Sequence, residues 1–304
     1  MDPMTSPTTD SGLLICDKPQ GWTSHQVVGR VRRLMGTRKV GHAGTLDPMA
    51  TGVLIVGVNR ATRLLGHLAL HDKRYEATIR LGCSTTTDDA EGEPSGGADA
   101  AHLTRELVEA ELPAFRGPIQ QVPSSVSAIK VNGQRAYKLV RDGQEVELKS
   151  REVTVSHYEV LDLRHVVEGD QTFCDVDVEV ECSSGTYIRA LARDLGAALE
   201  VGGHLTALRR TRIGGYNLVD LPVVDLTSDD RPEMLPMAEA ARLSFPVAQL
   251  DADQEANVRF GRSLHGLTVP SNPTGVLGVD GELIALYRPD EDDPTIARPV
   301  AVLV

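Results

Sequence analysis

Alternating apolar and polar positions mark the clearest strands of this chain. From Tyr75 to Leu81 every second residue is apolar or aromatic, and the residues between them are polar or charged. From Cys174 to Cys182 the same alternation holds, with an Asp or Glu at each intervening position. Such a period of two predicts half-buried strands over 73–82 and 172–182, with both cysteines on the core face. Similar strand patterns cover 151–164 and 204–216.

Uninterrupted apolar runs predict a buried strand over residues 12–19, ending in a Lys-Pro turn, and an apolar strand over 53–58. Between them, the apolar positions of residues 24–35 recur at helical spacing. Thr23 or Ser24 can cap the start of this helix, and Gly36 suits its end. We also expect a short helix over 61–70, a helix over 104–112 capped by Thr104, and a helix over 186–199 capped by Thr186.

The remaining segments define the domain organisation. Residues 1–10 read as a disordered tail, 84–101 as a loop, and 125–143 as a strand, an Asn-Gly turn and a short helix. Residues 217–245 read as a linker or a domain junction. Residues 246–304 contain short strand patterns at 275–280, 283–288 and 298–304, which indicate a small β domain. Because strands and helices mix without a regular βαβ period, the predicted fold class is α+β.

Composition excludes several classes of protein. No stretch approaches 18 apolar residues, so we expect no membrane span, and residues 1–10 lack the features of a secretory signal. The four cysteines form no CxxC pair and no zinc-finger spacing, so we expect reduced thiols in a cytoplasmic protein.

The net charge of −12 argues at first against a nucleic-acid partner. The charge is uneven, however: residues 1–150 carry 18 basic and 17 acidic side chains, and residues 151–304 carry 13 and 26. Three windows, 18–46, 112–141 and 201–219, contain basic residues and no acid. Chance clustering on solvated faces is one interpretation. A folded basic cleft is the other, and three such windows make it worth testing.

The glycine-rich loop at 41–52 is the most informative segment for chemistry. It holds Asp47, a lone carboxylate at the end of the first acid-free basic window. In a basic site such a group would stay ionised and could act as a nucleophile or a base. An Asx turn before Pro48 is the alternative interpretation, and spacing alone favours it. The loop lacks the GxxxxGK[ST] order of a phosphate-binding Walker loop.

At this loop the chain resembles the TruB family of bacterial tRNA pseudouridine synthases. Further similar blocks occur in the same order, and the resemblance covers about residues 12–216. One departure is Val126, where many relatives have a tyrosine. The matching blocks are GHAGTLDPMATGVL (41–54), DKPQGWTS (17–24), DKRYEATIRLG (72–82), TTTDDAEGE (85–93), QVPSSVSAIKVNGQRAYKLVRDG (121–143), CSSGTYIRALARDLG (182–196) and HLTALRRTRIG (204–214).

The resemblance implies a fold and a reaction. The fold would be that of pseudouridine synthases, a mixed and mainly antiparallel sheet with flanking helices, followed by a small PUA-like β domain. The enzyme would isomerise the T-loop uridine at position 55 of tRNA to pseudouridine after flipping the base. Because the product is an isomer, no metal, oxidant, ATP or other cofactor is implied.

The same resemblance assigns roles to residues around the base. Asp47 matches the essential aspartate, Tyr75 the aromatic residue that stacks on the flipped base, and Arg189 the arginine that pairs with the aspartate. Tyr187 would support the pocket, and Leu208 would line it. Pattern alone favours a core tyrosine for Tyr75 and a surface helix arginine for Arg189, and leaves an ordinary core residue open for Leu208.

Other residues would support the loop or contact RNA. His42 matches a residue that helps displace the target nucleotide, and Lys18 and Pro19 match a pair that supports the catalytic loop. The alternatives are a loop histidine bonded to backbone and a solvated turn lysine. The expected RNA contacts are Arg30, Arg33, Lys39, Lys130, Arg135, Lys138, Arg141, Arg209 and Arg210.

In domain terms we expect a catalytic domain over 11–235, with an RNA-gripping insertion at 119–150, and a PUA-like domain over 246–304. The last has four arginines, no lysine and nine acids, so its RNA contact should be weak, and a purely structural cap is the alternative. We expect tRNA through its T arm as the partner, a monomer, and no membrane, metal or protein partner. Alternative functions are a tRNA-folding chaperone, a cysteine-dependent RNA methyltransferase using Cys182, and a guide-RNA-dependent relative.

Overall fold

A computed structural model describes residues 9–124 and 149–304, together with the backbone of residues 130–131 and 134–135. The chain divides into two compact units. We call Met1–His71 with Arg212–Val304 the first unit, and Asp72–Thr211 the second unit. Most of the tail predicted at residues 1–10 lies outside the described residues.

The described strands are, in chain order, β1 (Gly12–Lys18), β2 (Val40–Ala43), β3 (Thr51–Val58), β4 (Lys73–Leu81), β5 (Ser84–Thr85), β6 (Pro94–Gly96), β7 (Gly117–Gln121), β8 (Lys130–Val131), β9 (Gln134–Arg135), β10 (Arg151–Glu168), β11 (Gln171–Cys182), β12 (Gly203–Ile213), β13 (Tyr216–Asn217), β14 (Val223–Val224), β15 (Leu235–Pro236), β16 (Val247–Gln249), β17 (Leu264–His265), β18 (Thr274–Leu277), β19 (Leu283–Pro289) and β20 (Ile296–Val302). The described α-helices are α1 (Ser24–Met35), α2 (Leu65–Leu68), α3 (Arg105–Glu111), α4 (Ile188–Ala198), α5 (Met237–Ser244) and α6 (Ala252–Arg259).

Strand β1 is the centre of the sheet in the first unit. It pairs antiparallel with β3 along its whole length, and its other edge pairs with β14 in parallel and with β15 antiparallel. Its apolar run is buried, as predicted, and the burial covers both faces, because Leu13 and Ile15 pack into one core cluster and Leu14 and Cys16 into another. A strand covered on both faces needs no alternation of polar residues.

Helix α1 covers one face of β1 and confirms the predicted cap and stripe. The Thr23 hydroxyl accepts from the Gln26 amide, and the Gln26 side chain accepts in return from the Thr23 amide. Gly36 ends the helix with a φ of +63°, a left-handed conformation that glycine adopts without strain. The apolar stripe from Val27 to Met35 packs against Leu14 and Cys16.

The prediction of a linker over 217–245 is wrong. This segment contains β14, β15 and α5, and it supplies the second edge of β1. Strands of two residues are too short for a pattern of alternation to reveal them, and their stability comes from pairing with a preformed strand.

The C-terminal region forms the predicted small β structure, a five-stranded sheet in the order β16-β18-β19-β20-β17. One of its faces encloses a core of its own with α6. Leu277, Leu283 and Leu286 pack instead into the cluster that holds Leu13 and Ile15, so residues 246–304 share a core with the N-terminal strand.

The sheet of the second unit runs β12-β4-β11-β10-β7. The predicted alternation on β4 and β11 is confirmed, because Tyr75–Leu81 and Cys174–Cys182 bury their apolar positions. On the opposite face the acids of β11 pair with arginines of the neighbouring strands. These pairs are Arg74 with Glu181, Arg80 with Asp175, and Arg164 with Asp177. Much of the acidic character of this strand is therefore neutralised locally, although the half-exposed pairs of Arg74 and Arg164 contribute at most about 1 kcal/mol each.

Several local predictions need correction. Residues 84–101 are more than a loop, since β5 pairs with β6 there, and the loop predicted at 41–52 starts and ends in β2 and β3. A 3₁₀ turn, Asn59–Arg63, precedes the short α2. Helix α4 begins after Tyr187, because the Thr186 hydroxyl donates to the Ser183 carbonyl and does not cap the helix.

The segment 125–143 can be compared with prediction only in part. Backbone pairing of β8 with β9 agrees with a hairpin around the Asn-Gly turn. Its predicted helix lies outside the described residues. Across the described chain, no helix is long and apolar enough to span a bilayer.

Candidate active site

Asp47 lies in the first unit, in the turn between β2 and β3. It is half-buried, and its carbonyl accepts from the Ala50 amide at 3.1 Å, which closes the turn. Gly44 and Gly52, on either side, have φ values of +75° and +101°. Residues with a Cβ adopt such angles only with strain, so glycine is required where the chain enters and leaves this turn.

Lys18 is a buried brace for the Asp47 turn. Its side chain is 0% exposed, and its ammonium donates to the carbonyls of Pro19 at 3.0 Å, Trp22 at 2.5 Å and Pro48 at 3.2 Å. The Gly21 amide donates to the same Pro48 carbonyl at 2.8 Å. Lys18 is therefore not a solvated turn residue. Its three donors hold the peptide that follows Asp47 against the end of β1.

The residues just before Asp47 are held by α1. The Ser24 hydroxyl donates to the Leu46 carbonyl and accepts from the Leu46 amide, at 3.2 and 3.0 Å. The ring of His42 on β2 meets the ring of the exposed His25 edge to face, with centroids 5.6 Å apart. Backbone and side-chain bonds thus fix both sides of Asp47 within the first unit.

Among the arginines and lysines predicted to contact RNA in this unit, Arg30 serves a different purpose. It donates to the carbonyls of Leu226 and Ser228 and pairs with Asp229 at 2.7 Å. These bonds tether the segment after β14 and argue against an RNA contact by Arg30. Arg33 and Lys39 are exposed, as an RNA contact requires.

In the second unit, Tyr75 lies on the buried face of β4 opposite Val180 and is 7% exposed. Lys73 shares that face and is also buried. Burial, together with the positive charge of Arg210, lowers the pKa of Lys73 to about 8. Lys73 and Tyr75 therefore share the buried face of β4, and Arg210 lies close enough to Lys73 for their charges to interact.

Strand β12 runs beside β4, where the Thr206 and Thr211 hydroxyls donate to carbonyls of β4. On it Leu208 is buried, and so is Arg210, at 1% exposure. This burial argues against the predicted RNA contact by Arg210, because its guanidinium has almost no solvent-accessible area. Arg209 is half-exposed. The side chains of Lys130, Arg135, Lys138 and Arg141 lie outside the described residues.

Arg189 lies in the first turn of α4 and is 6% exposed. It pairs with Asp89 at 3.2 Å and donates to the Thr87 carbonyl at 2.9 Å. The interpretation as a surface helix arginine is therefore wrong. The Asp89 carboxylate also accepts from the Thr87 hydroxyl and the Glu91 amide. A guanidinium buried in this way is fixed in direction by charge-assisted hydrogen bonds.

Sequence reasoning missed Asp89, although it lies in the matched block 85–93. It also missed Gln121, which is 1% exposed. The Gln121 side-chain amide accepts from the Tyr187 amide at 2.8 Å and donates to the Tyr187 carbonyl at 3.0 Å. The ring of Tyr187 lies under the Arg151 guanidinium, 5.4 Å from its centroid. Both are polar residues of matched blocks, which is the signal that the sequence offered, whereas their burial is visible only in the fold.

None of the four cysteines has a lowered pKa, since burial raises the pKa of Cys16, Cys83, Cys174 and Cys182. Burial raises the pKa of Cys182 to about 11, and Cys16 and Cys174 are also buried. A nucleophilic cysteine needs a lowered pKa, so Cys182 does not fit a methyltransferase nucleophile. No group of three or more His, Cys, Asp or Glu side chains among the described residues is arranged to hold a metal ion.

Comparison with known proteins decides the family. The model of the TruB family pseudouridylate synthase N-terminal domain matches residues 32–188, which is more than half of the chain. The chain belongs to the TruB family. The model of the tRNA pseudouridylate synthase B C-terminal domain follows directly, at residues 189–229. The predicted pseudouridine-forming isomerase is thereby confirmed.

Curated TruB relatives align over nearly the whole chain. The tRNA pseudouridine synthase B of Cutibacterium acnes is 58% identical over 299 residues, covering 98% of this chain and 99% of the relative. That of Thermobifida fusca is 57% identical over 291 residues, covering 96% and 98%.

Solved structures confirm the predicted pseudouridine-synthase fold. A crystal structure of a Cbf5-Nop10-Gar1 complex matches with a TM-score of 0.71 and 25% identity, over 96% of this chain and 85% of that one. An archaeal box H/ACA Nop10-Cbf5 complex matches with a TM-score of 0.69 and 25% identity, over 96% and 86%.

Proposed function

We propose that the chain is a stand-alone tRNA pseudouridine synthase that isomerises the T-loop uridine at position 55. The near full-length identity of 58% to a protein named tRNA pseudouridine synthase B carries this proposal. The bond from ribose C1′ to N1 breaks, the uracil turns over, and C1′ bonds to C5. The proton of C5 is lost to water and N1 gains one, so the product is an isomer and no cofactor is consumed.

In this proposal Asp47 is the catalytic residue. The bonds of Lys18 and Ser24 on either side of it support the role, since a reacting carboxylate must be held in a fixed direction. As the resemblance implies, Arg189 is the arginine that orients the catalytic aspartate, and its burial against Asp89 supports a rigid guanidinium. His42 helps displace the target nucleotide.

The base-binding residues are Tyr75, Leu208 and Tyr187. An extruded base loses its stacking partners and needs new ones in the protein. Tyr75 stacks on the base, and Leu208 lines the pocket beside it. Their burial on β4 and β12 supports these roles, because buried side chains leave little room for water beside the base.

RNA contacts are proposed for Arg33, Lys39 and Arg209, which are exposed or half-exposed. Lys130, Arg135, Lys138 and Arg141 of the insertion remain proposals from the resemblance. Residues 246–304 are a PUA-like domain with weak RNA contact. Its arginines support this, because Arg259, Arg288 and Arg298 each pair with a carboxylate. The enzyme acts as a cytoplasmic monomer.

The decisive experiment uses a T-arm hairpin tritiated at uracil C5, incubated with the enzyme and no added cofactor. Release of tritium to water is expected, because C5 must exchange its proton for the ribose bond. A hairpin with the target uridine replaced by cytidine gives the background. A folded hairpin that is bound and releases no tritium would contradict the proposal.

Asp47→Asn tests the catalytic assignment. The substitution keeps the size of the side chain, so tRNA affinity and unfolding temperature should stay at the parent values while turnover falls at least about 1000-fold. Asp253→Asn removes one charge from an exposed position of α6 and should retain full turnover. A chaperone activity would survive Asp47→Asn in a tRNA refolding assay.

A further inference from the structure

Gln121 ends strand β7 and directs its side chain to the start of α4. Its amide forms two hydrogen bonds with one residue, accepting from the Tyr187 N–H and donating to the Tyr187 carbonyl. One planar amide thus reproduces the paired bonds that a neighbouring strand would make. Because both bonds are made at once, the orientation of the amide and of the Tyr187 peptide are fixed together.

Tyr187 is the residue at which the direction of α4 is set. It occupies the N-cap position, with φ of −103° and ψ of 107°, and its side chain makes no capping bond. Its carbonyl also accepts the first intrahelical bond, from Leu191 at 3.2 Å. Arg189 follows two residues later, so a rotation of the Tyr187 peptide would displace its guanidinium from Asp89.

A second contact joins the same segments one helical turn further on. Arg193, four residues after Arg189, donates to the Val122 carbonyl at 2.8 Å and pairs with Asp88 at 3.2 Å. Residues 87–89 and 121–122 are therefore each bound to α4 at positions near Arg189. Of the contacts from residues 121–122, that of the buried Gln121 is made to Tyr187, the residue at which α4 starts.

We propose that Gln121 is a positioning residue for Arg189, acting through the Tyr187 peptide. The inference rests on the proposed role of Arg189 in catalysis. Gln121 has no direct part in binding tRNA in this view, so its loss lowers the rate of the bound complex. Neither a purely accepting nor a purely donating side chain can replace it.

The main test is Gln121→Leu, which keeps the approximate volume and removes both bonds. We expect kcat for tritium release to fall about 100-fold, the loss typical of a small displacement at a reacting centre, while the Kd for tRNA changes less than about twofold. Gln171→Leu, which removes the hydrogen bond from the Gln171 side chain at the start of β11 to the Gly82 carbonyl, is the matched control and should keep the parent kcat.

Gln121→Glu separates positioning from stability. An ionised carboxyl can only accept, whereas a neutral one can also donate to the Tyr187 carbonyl and restores both bonds. The ratio of the variant's kcat to that of the parent should therefore rise as the pH falls from 8 to 6. Gln171→Glu should show a flat ratio. Thermal unfolding at each pH shows whether Gln121→Glu and its control are folded. If Gln121→Leu does not fold, Gln121→Glu still tests the proposal.

Arg189→Lys distinguishes failure of this inference from failure of the proposed function. If Arg189→Lys keeps the parent kcat, the role proposed for Arg189 is wrong. If Arg189→Lys is impaired while Gln121→Leu keeps the parent kcat, or loses only stability, the positioning role of Gln121 is wrong. The double variant with Gln121→Leu and Arg189→Lys should have the same kcat as Arg189→Lys alone. Both changes remove the same function, the correct placement of the Arg189 guanidinium, so their effects do not add.

Discussion

Lys18 and Arg189 are both buried cations beside candidate catalytic segments, one in each unit, but they are held differently. Lys18 donates to three backbone carbonyls around the turn that follows Asp47. Arg189 pairs with the Asp89 carboxylate and donates to one carbonyl. An ammonium with three donors suits the joining of chain segments, whereas a planar guanidinium suits a fixed direction toward an anion. Lys18 thus stabilises the turn that follows Asp47, whereas the ion pair with Asp89 fixes the direction of the Arg189 guanidinium.

Breaking the charge pair should have the largest effect. Asp89→Asn leaves Arg189 buried without this countercharge, which costs about 3–5 kcal/mol in unfolding free energy. Displacement of the guanidinium should also lower kcat about 100-fold. Urea unfolding and tritium release measure the two effects. Asp88→Asn, which breaks the more exposed pair with Arg193, is the control and should cost only about 1 kcal/mol of unfolding free energy. Equal losses of unfolding free energy in the two variants would contradict the prediction.

Removing the carbonyl brace should act mainly on stability. Lys18→Met keeps the side-chain stem and leaves carbonyls of Pro19 and Trp22 without that donor, at a cost of about 1–3 kcal/mol each. We expect a loss of about 3 kcal/mol by urea unfolding and a smaller fall in kcat than in Asp89→Asn. Lys39→Met, an exposed lysine of the same unit, is the control. Unchanged stability in Lys18→Met would show that the three bonds contribute nothing.

Lys73 adds a buried cation whose ionisation depends on pH. Its pKa of about 8 lies below the value of 10.5 for an unfolded chain, so above pH 8 the unfolded state holds the proton that the folded state has lost. The parent should therefore gain stability relative to Lys73→Met as the pH rises, by about 2 kcal/mol near pH 10. Below pH 8 the difference between the two proteins should be constant. Lys149→Met controls for the loss of one exposed positive charge. A difference that stays constant from pH 7 to 10 would contradict the lowered pKa.

The smallest effect is expected at Cys182, which lies opposite Lys73 in the ladder of β4 and β11. Cys182→Ala should keep kcat within about twofold, since a buried thiol of high pKa supplies no nucleophile, and cost about 1 kcal/mol of stability. Loss of turnover in a folded Cys182→Ala protein would reopen a cysteine-dependent reaction.

The longer strands and helix α1 could be predicted from the sequence because several residues of each element indicate the same structure. The alternation from Tyr75 to Leu81, the stripe of α1 and its caps each rest on several residues that agree. Strands β14 and β15 were missed because two residues carry no period, and their positions depend on β1 far away in the chain. Pairing of distant segments is a property of the folded chain.

For the site, residue type alone could not give burial. Lys18, Arg30 and Arg210 all lie in acid-free windows, yet Lys18 and Arg210 are buried and Arg30 tethers a loop. A basic window therefore mixes cations that can meet RNA with cations that hold the protein together. The matched block at 85–93 contained Asp89, but without the fold no pattern paired it with Arg189.

The edge of β1 has a consequence for synthesis on the ribosome. Strands β14 and β15 are translated only after residues 72–211, a continuous stretch that contains every segment of the second unit. Until residues 223–236 emerge, one edge of the first strand made has unsatisfied backbone donors and acceptors. The strands of the second unit can thus pair before β14 and β15 of the first unit have been synthesised. A nascent chain released before residue 223 would carry an open β edge, which is a site for pairing with other unfinished chains.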